Sequence, residues 1–191
     1  GLNAITISEG DELMDVRITS GSNEVILATR NGKAIRFNET QVRSMGRTAA
    51  GVRGIRLDDG DRVVGMVVVD REDVTLLVVS ESGMGKRSEI DAYRLTNRGG
   101  KGVINIKTNK RTGKVVAIKS VTPQDELMFI TRNGVINRQP VEQIGVIGRA
   151  TQGVRLVNLD DGDRVMDVAR VIQEEGVIEE GVIEEGVIED E

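Results

Sequence analysis

The apolar positions of this chain come in short bursts, not in long helical stripes. Val25–Thr29 is one apolar run, and Asn31-Gly32 directly after it is a hairpin-turn signal. Both turn residues tolerate the positive φ angles that a tight two-residue turn demands. Lys33–Phe37 follows as the partner strand, Gly51–Leu57 alternates, Asp59-Gly60 turns the chain, and Val63–Val69 is a second apolar run. Continuous runs of this length suit strands covered on both faces. Helix caps followed by a 3.6-residue periodicity are missing. The pattern predicts four short strands and an all-β chain.

The pattern recurs. Gly32, Gly83 and Gly134 follow one another at intervals of 51 residues. Arg36, Arg87 and Arg138 share that register, as do Arg47, Arg98 and Arg149. So do Gly51, Gly102 and Gly153, each followed by Val. Asp58–Val63 reappears as Asp160–Val165, and Gly10-Asp11 sits where Gly60-Asp61 does. A period near 50 with four strands per unit predicts a propeller-like ring of blades, because one blade alone cannot bury both of its faces. The expected organisation is a half blade over 1–20, whole blades over 21–71, 72–122 and 123–172, and an end segment over 173–191. Gly1–Ile5 reads like the interior of a strand, so the chain is expected to be an excised piece of a larger ring.

Composition removes whole classes of chemistry. The 191 residues contain no Cys and no His, which excludes thiol nucleophiles, disulfides, Cys/His zinc sites and histidine-based triads. Phe37, Phe129 and Tyr93 are the only aromatic residues, too few for stacking single-stranded bases. No apolar run approaches the roughly 18 residues of a membrane span. Gly83–Ser88 contains a Gly-Lys pair, but Ser80 stands where a phosphate-binding loop needs its first glycine, and Arg87 follows the lysine. Asp58–Asp61 lacks the alternating ligands and terminal Glu of a calcium loop. Tyr93 reads as a packing residue, and no catalytic site or metal site is expected.

The net charge of -5 hides a segregation. Residues 173–191 hold nine acidic residues and no basic one, leaving 22 acidic against 26 basic residues in 1–172, a net of +4. A mildly basic body with an acidic end predicts a polyanionic partner and an internal competitor for it. The end segment repeats Gly-Val-Ile at 176, 181 and 186. A period of five fits neither strand nor helix, so this segment reads as disordered low complexity.

A residue recurring once per blade recurs at one place around the ring. Arg36, Arg87 and Arg138 are therefore expected to form one basic arc, and Arg47, Arg98 and Arg149 another. Lys33, Arg43, Arg53, Lys86, Arg94, Lys101 and Arg155 thicken them. Ten basic residues against two acidic ones lie between Lys86 and Lys119. A curved stripe of Lys and Arg without aromatics suits the backbone of duplex DNA. The alternative is that the repeated arginines bridge to carboxylates of the next blade and hold the ring together. In Arg98-Gly99-Gly100-Lys101-Gly102, glycines let backbone N–H groups approach phosphate oxygens. The alternative there is a plain interblade turn.

These segments resemble the C-terminal domain of the bacterial DNA gyrase A subunit. The resemblance rests on residues 30–57, 83–107 and 147–156 and extends over 1–172. It implies a β-pinwheel, a propeller-like ring whose blades exchange strands. It implies a module that bends duplex DNA around its rim so that the enzyme introduces negative supercoils. The expected partners are duplex DNA and, in a cytoplasmic heterotetramer, the rest of gyrase's A subunit together with its B subunit. ATP and Mg would act elsewhere in the parent enzyme, with no cofactor in this chain. The family's box resembles Q-R-R-G-G-K-G in the first blade. Here only Arg98–Gly102 keeps it, in a later blade, and the true box is expected to precede Gly1. An acidic tail that modulates wrapping is also a family feature. The rival readings are the equivalent domain of topoisomerase IV and a protein-docking propeller.

Overall fold

The computed structural model describes residues 1–171. The hairpin signals become strands β1 (Glu24–Thr29) and β2 (Lys33–Asn38), and the apolar run after them is β3 (Val63–Val69). The second unit supplies β4 (Thr75–Ser80), β5 (Met84–Glu89), β6 (Val103–Ile104) and β7 (Val115–Val121). The third supplies β8 (Glu126–Thr131), β9 (Ile136–Pro140), β10 (Val154–Arg155) and β11 (Val165–Val171). A single 3-10 turn follows each hairpin, at Glu39–Gln41, Ile90–Ala92 and Val141–Gln143.

The sheets cross the unit boundaries. Their strand orders are β3-β1-β2-β6, β10-β5-β4-β7 and β11-β8-β9. The second unit thus lends β6 to the first sheet, and the third lends β10 to the second. Val103 lies opposite Ala34 and Ile104 opposite Lys33, while Val154 and Arg155 lie opposite Gly85 and Met84. All pairings are antiparallel, which agrees with strand exchange in an all-β pinwheel.

Each unit was expected to hold four strands, and the third position behaves differently. Gly51–Leu57 forms no strand, and its counterparts are strands of only two residues. This segment has no partner in its own unit, because it belongs to the edge of the preceding one. Residues 1–20, expected as a half blade, also form no strand, Gly1–Ile5 included. They contain no hairpin to pair with, and Leu13 and Ile18 stay exposed. Thr6 ties this stretch to the first unit by donating its N–H to the Ala49 carbonyl and its hydroxyl to that of Thr48.

The core lies between sheets. Ile26, Val67, Leu76, Val78, Ile106 and Ile118 pack between the first two, and Leu77, Val79, Leu127, Phe129 and Val165 between the second and third. Every residue of β4 is buried, since the middle sheet is covered on both faces. The expected end-segment disorder falls outside the described residues.

The exchange depends on a glycine. Gly102 enters β6 with φ 71°, and a Cβ there would collide with the Ala34 carbonyl oxygen. Gly153 repeats this against Gly85 with φ 75°. Gly102→Ala is therefore expected to destabilise the fold by about 2 kcal/mol or more in urea titration, through a strained φ and a backbone clash. Gly46→Ala, with open space around it and no positive φ, is expected to leave the urea midpoint within experimental scatter.

Candidate nucleic-acid interface

Arginine spends its five donors well only where several acceptors converge. The 3-10 turns provide such places, because their carbonyls face the neighbouring unit. Arg36 reaches forward from β2, donating from Nη1 to the carbonyls of Ile90 (3.0 Å) and Tyr93 (3.1 Å). It also pairs with Glu24 at 2.6 Å and with Asp91 of the next unit at 3.1 Å. Arg87 does the same one unit on: its Nε donates to the Ile144 carbonyl at 2.6 Å. Burial pulls the Arg87 guanidinium below its ordinary range, an effect that nearby Glu89 opposes. Arg138 has no following unit among the described residues, and it turns to Glu126 with its side chain 57% exposed.

The second column reaches backward. Arg98 donates from Nε to the Gln41 carbonyl and from Nη1 to the Arg53 carbonyl, both at 2.9 Å. Arg149 donates to the carbonyls of Ala92 and Ile104, also at 2.9 Å. The turn at Ile90–Ala92 is thus held by Arg36 from one side and by Arg149 from the other. The structural alternative for the repeated arginines describes these contacts, with backbone carbonyls taking most of the bonds that carboxylates were expected to take.

The structure therefore corrects part of the expected stripe. Arg36 is mostly covered, and Lys86 and Arg87 are buried, Lys86 completely. Lys86 donates to Ser88 Oγ at 2.6 Å, beside the bond from Tyr93 to Asn105. The first unit fills the equivalents of Lys86 and Ser88 with Ile35 and Phe37, so sequence position alone gave no warning of burial. Burial, with repulsion from Arg149, lowers the Lys86 ammonium to about 8. Burial pushes the Tyr93 phenol up to about 12, against its contacts with Ser88 and Arg149.

The glycine run is likewise partly occupied. Gly99 donates its N–H to the Gly54 carbonyl at 2.5 Å, and the Gly100 carbonyl accepts from Arg56 at 2.8 Å. Gly102 serves the strand exchange. Exposed cations remain: Arg43, Arg47, Arg53, Arg94, Lys101 and Arg155 carry no ion pair among the described residues. Lys33 is tied to Asp58, whose carboxylate that bond and the nearby Lys101 hold below its ordinary range. Arg94 and Lys101 line a groove of about 160 Å³ with Thr96, Asn97 and Gly100. Arg53 lies across the same unit boundary, its carbonyl under the Arg98 guanidinium. No cluster of acidic residues among those described could hold a metal ion.

A family model described as "DNA gyrase C-terminal domain, beta-propeller" matches residues 1–20, 23–70, 75–122 and 125–172. The chain belongs to the DNA gyrase C-terminal domain family. It is 48% identical over 169 residues to the DNA gyrase A subunit of Haloquadratum walsbyi, and 47% identical over 176 residues to that of Staphylococcus epidermidis. These alignments cover 88% and 92% of the chain but 20% of each relative, so the chain spans about a fifth of their length. A solved DNA gyrase A C-terminal domain superposes with TM-score 0.83 at 29% identity, over 90% of this chain and 58% of that one. A topoisomerase IV C-terminal domain also gives 0.83, at 27% identity, over 88% of this chain and 52% of that one.

The pH dependence of stability follows from the buried pair. The folded Lys86 binds its proton more weakly than the unfolded lysine, so it penalises folding most below about pH 8. That penalty fades between about pH 8 and the ordinary value of 10.5, where the unfolded state still holds the proton. Tyr93 acts oppositely: its raised value makes stability fall between pH 10 and about 12. Lys86→Met is expected to stabilise the fold at pH 7 by up to roughly 3 kcal/mol. Urea titrations at a series of pH values should show that advantage shrinking from pH 8 to 10.

Proposed function

We propose that this chain grips duplex DNA by its phosphates and bends it, as the wrapping module of a gyrase that introduces negative supercoils with ATP. The observation that carries this reading is the gathering of exposed Arg53, Arg94 and Lys101 beside the groove between the first two units. The repeated arginines there are already bound to protein. Lys and Arg without exposed aromatics favour backbone contact over base reading. Arg43, Arg47 and Arg155 extend the same exposed set. In the parent enzyme the partners are the remainder of the A subunit together with the B subunit, and strand cleavage, ATP and Mg belong to those parts. Gyrase is favoured over topoisomerase IV by the 48% and 47% identities to gyrase A subunits.

Bending a site of 20–30 bp by 40–90° costs roughly 1–6 kcal/mol, which phosphate contacts spread along the rim must offset. The triple substitution Arg53→Gln, Arg94→Gln, Lys101→Gln is expected to weaken binding equally for unrelated duplexes. The slope of log affinity against log salt should shrink by roughly 0.9 for each phosphate no longer neutralised. Loss confined to particular sequences, with an unchanged slope, would overturn the reading. Tight binding of a protein partner without salt-sensitive DNA binding would support a docking propeller instead.

A further inference from the structure

The third sheet lacks what the other two have. On the outer edges of β2 and β5 sit borrowed two-residue strands, but β9 pairs with no strand on that side among the described residues. The turn glycines tell the same story. Gly32 and Gly83 pack against the carbonyls of Ile106 and Val157 in the borrowed segments, whereas Gly134 has nothing within 4 Å. Val135 and Ile136 are 50% and 60% exposed beside it. An open strand edge with apolar residues is a template for another strand.

The borrowed strand has a sequence form. β6 is entered as Gly102-Val103-Ile104 and β10 as Gly153-Val154-Arg155. The glycine is required by its positive φ and by the carbonyl it abuts. The end of the chain carries the β6 triplet three more times, as Gly176-Val177-Ile178, Gly181-Val182-Ile183 and Gly186-Val187-Ile188. We propose that a Gly-Val-Ile triplet of the acidic end pairs antiparallel with the open edge of β9 and supplies the missing fourth strand of the third sheet.

Register and reach select the triplet. Copying β6 on β2 sets Val182 or Val187 opposite Ile136, and Ile183 or Ile188 opposite Val135. β11 ends at Val171, level with Glu126 and hence with Pro140 at the far end of β9. The chain leaving Val171 crosses the sheet end and returns antiparallel to β9, the direction that β6 and β10 take. With strands about 4.8 Å apart and about 3.3 Å per residue, that path is on the order of 20 Å. Gly176, five residues on, reaches at most about 18 Å, whereas Gly181 and Gly186 reach about 33 Å and beyond. In this register Glu180 or Glu185 falls level with Arg138, whose exposed guanidinium complements it.

The copy is incomplete in an informative way. Four residues after its glycine, each borrowed segment buries an apolar plug, Ile106 or Val157. The triplets have Glu180, Glu185 and Asp190 at that place. The triplet therefore closes the edge without filling the core, which makes it a reversible cap that a complete donor strand displaces.

Cysteine pairs test this directly, since the chain has no cysteine of its own. Opposed residues of antiparallel strands lie within disulfide range. The full chain carrying Ile136→Cys with Val182→Cys or Val187→Cys is oxidised with glutathione disulfide. Expected is an intramolecular disulfide at least about tenfold faster than for Ile136→Cys with Val177→Cys. Adding Gly181→Ala to the 182 pair is expected to remove most of that advantage without changing the charge, because alanine resists the positive φ. Equal rates in all these chains would overturn the proposal in favour of a segment held only by charge. Disulfides only between molecules, faster at higher protein concentration, would overturn it in favour of a second copy docking its Gly51–Leu57. No DNA is present, so the result is independent of the wrapping reading.

Discussion

A guanidinium that reaches across a unit boundary to a backbone carbonyl is the contact on which this ring depends. A blade of three or four short strands has two apolar faces, and closing it requires a neighbour held at one fixed angle. Apolar packing supplies attraction but little direction. Arg36, Arg87, Arg98 and Arg149 supply the direction, because planar donors meet carbonyls fixed by the 3-10 turns. Two of them reach forward and two backward, so the middle turn is clamped from both sides. The borrowed strands β6 and β10 add backbone pairing at the same boundaries. Stability and curvature of the ring are then the same property.

This use of arginine divides the basic residues by role. The positions that repeat most faithfully are engaged within the protein, and the positions free to meet phosphate are more variable. Arg94 of the second unit is matched by Arg43 in the first, but Gly145 stands there in the third. Arg53 and Arg155 flank Ile104 at one register position, and Lys101 is matched by Ala50 and Gln152. Each unit thus shares one scaffold and carries its own surface charge. A rim built in this way tunes the grip on a duplex blade by blade without altering the joints.

The sequence made the repeat, the hairpins and the all-β class legible, because Asn31-Gly32 and its counterparts leave few alternatives and the apolar runs fit only short buried strands. Strand exchange was legible only through the family resemblance. Gly51–Leu57 and its counterparts look like members of their own unit, and nothing local says that their partner is the unit before. Charge was the least legible property. Lys86 reads as a surface lysine, yet it lies under Arg149 beside Ser88 and Tyr93, where a neighbouring blade covers it. Burial of that kind arises from packing between units, which a one-dimensional pattern does not encode.

The central claim is that the repeated arginines join blades while the unrepeated cations face DNA. Residue-resolved chemical footprinting tests it most directly, with an arginine-selective dicarbonyl and a lysine-selective acylating reagent, in the absence and presence of a duplex. The account predicts that Arg36, Arg87 and Lys86 are unreactive in both states. Arg53, Arg94 and Lys101 should be reactive in the free protein and protected by DNA. Ready modification of Arg36 and Arg87 in the free protein, followed by their protection on DNA binding, would contradict it.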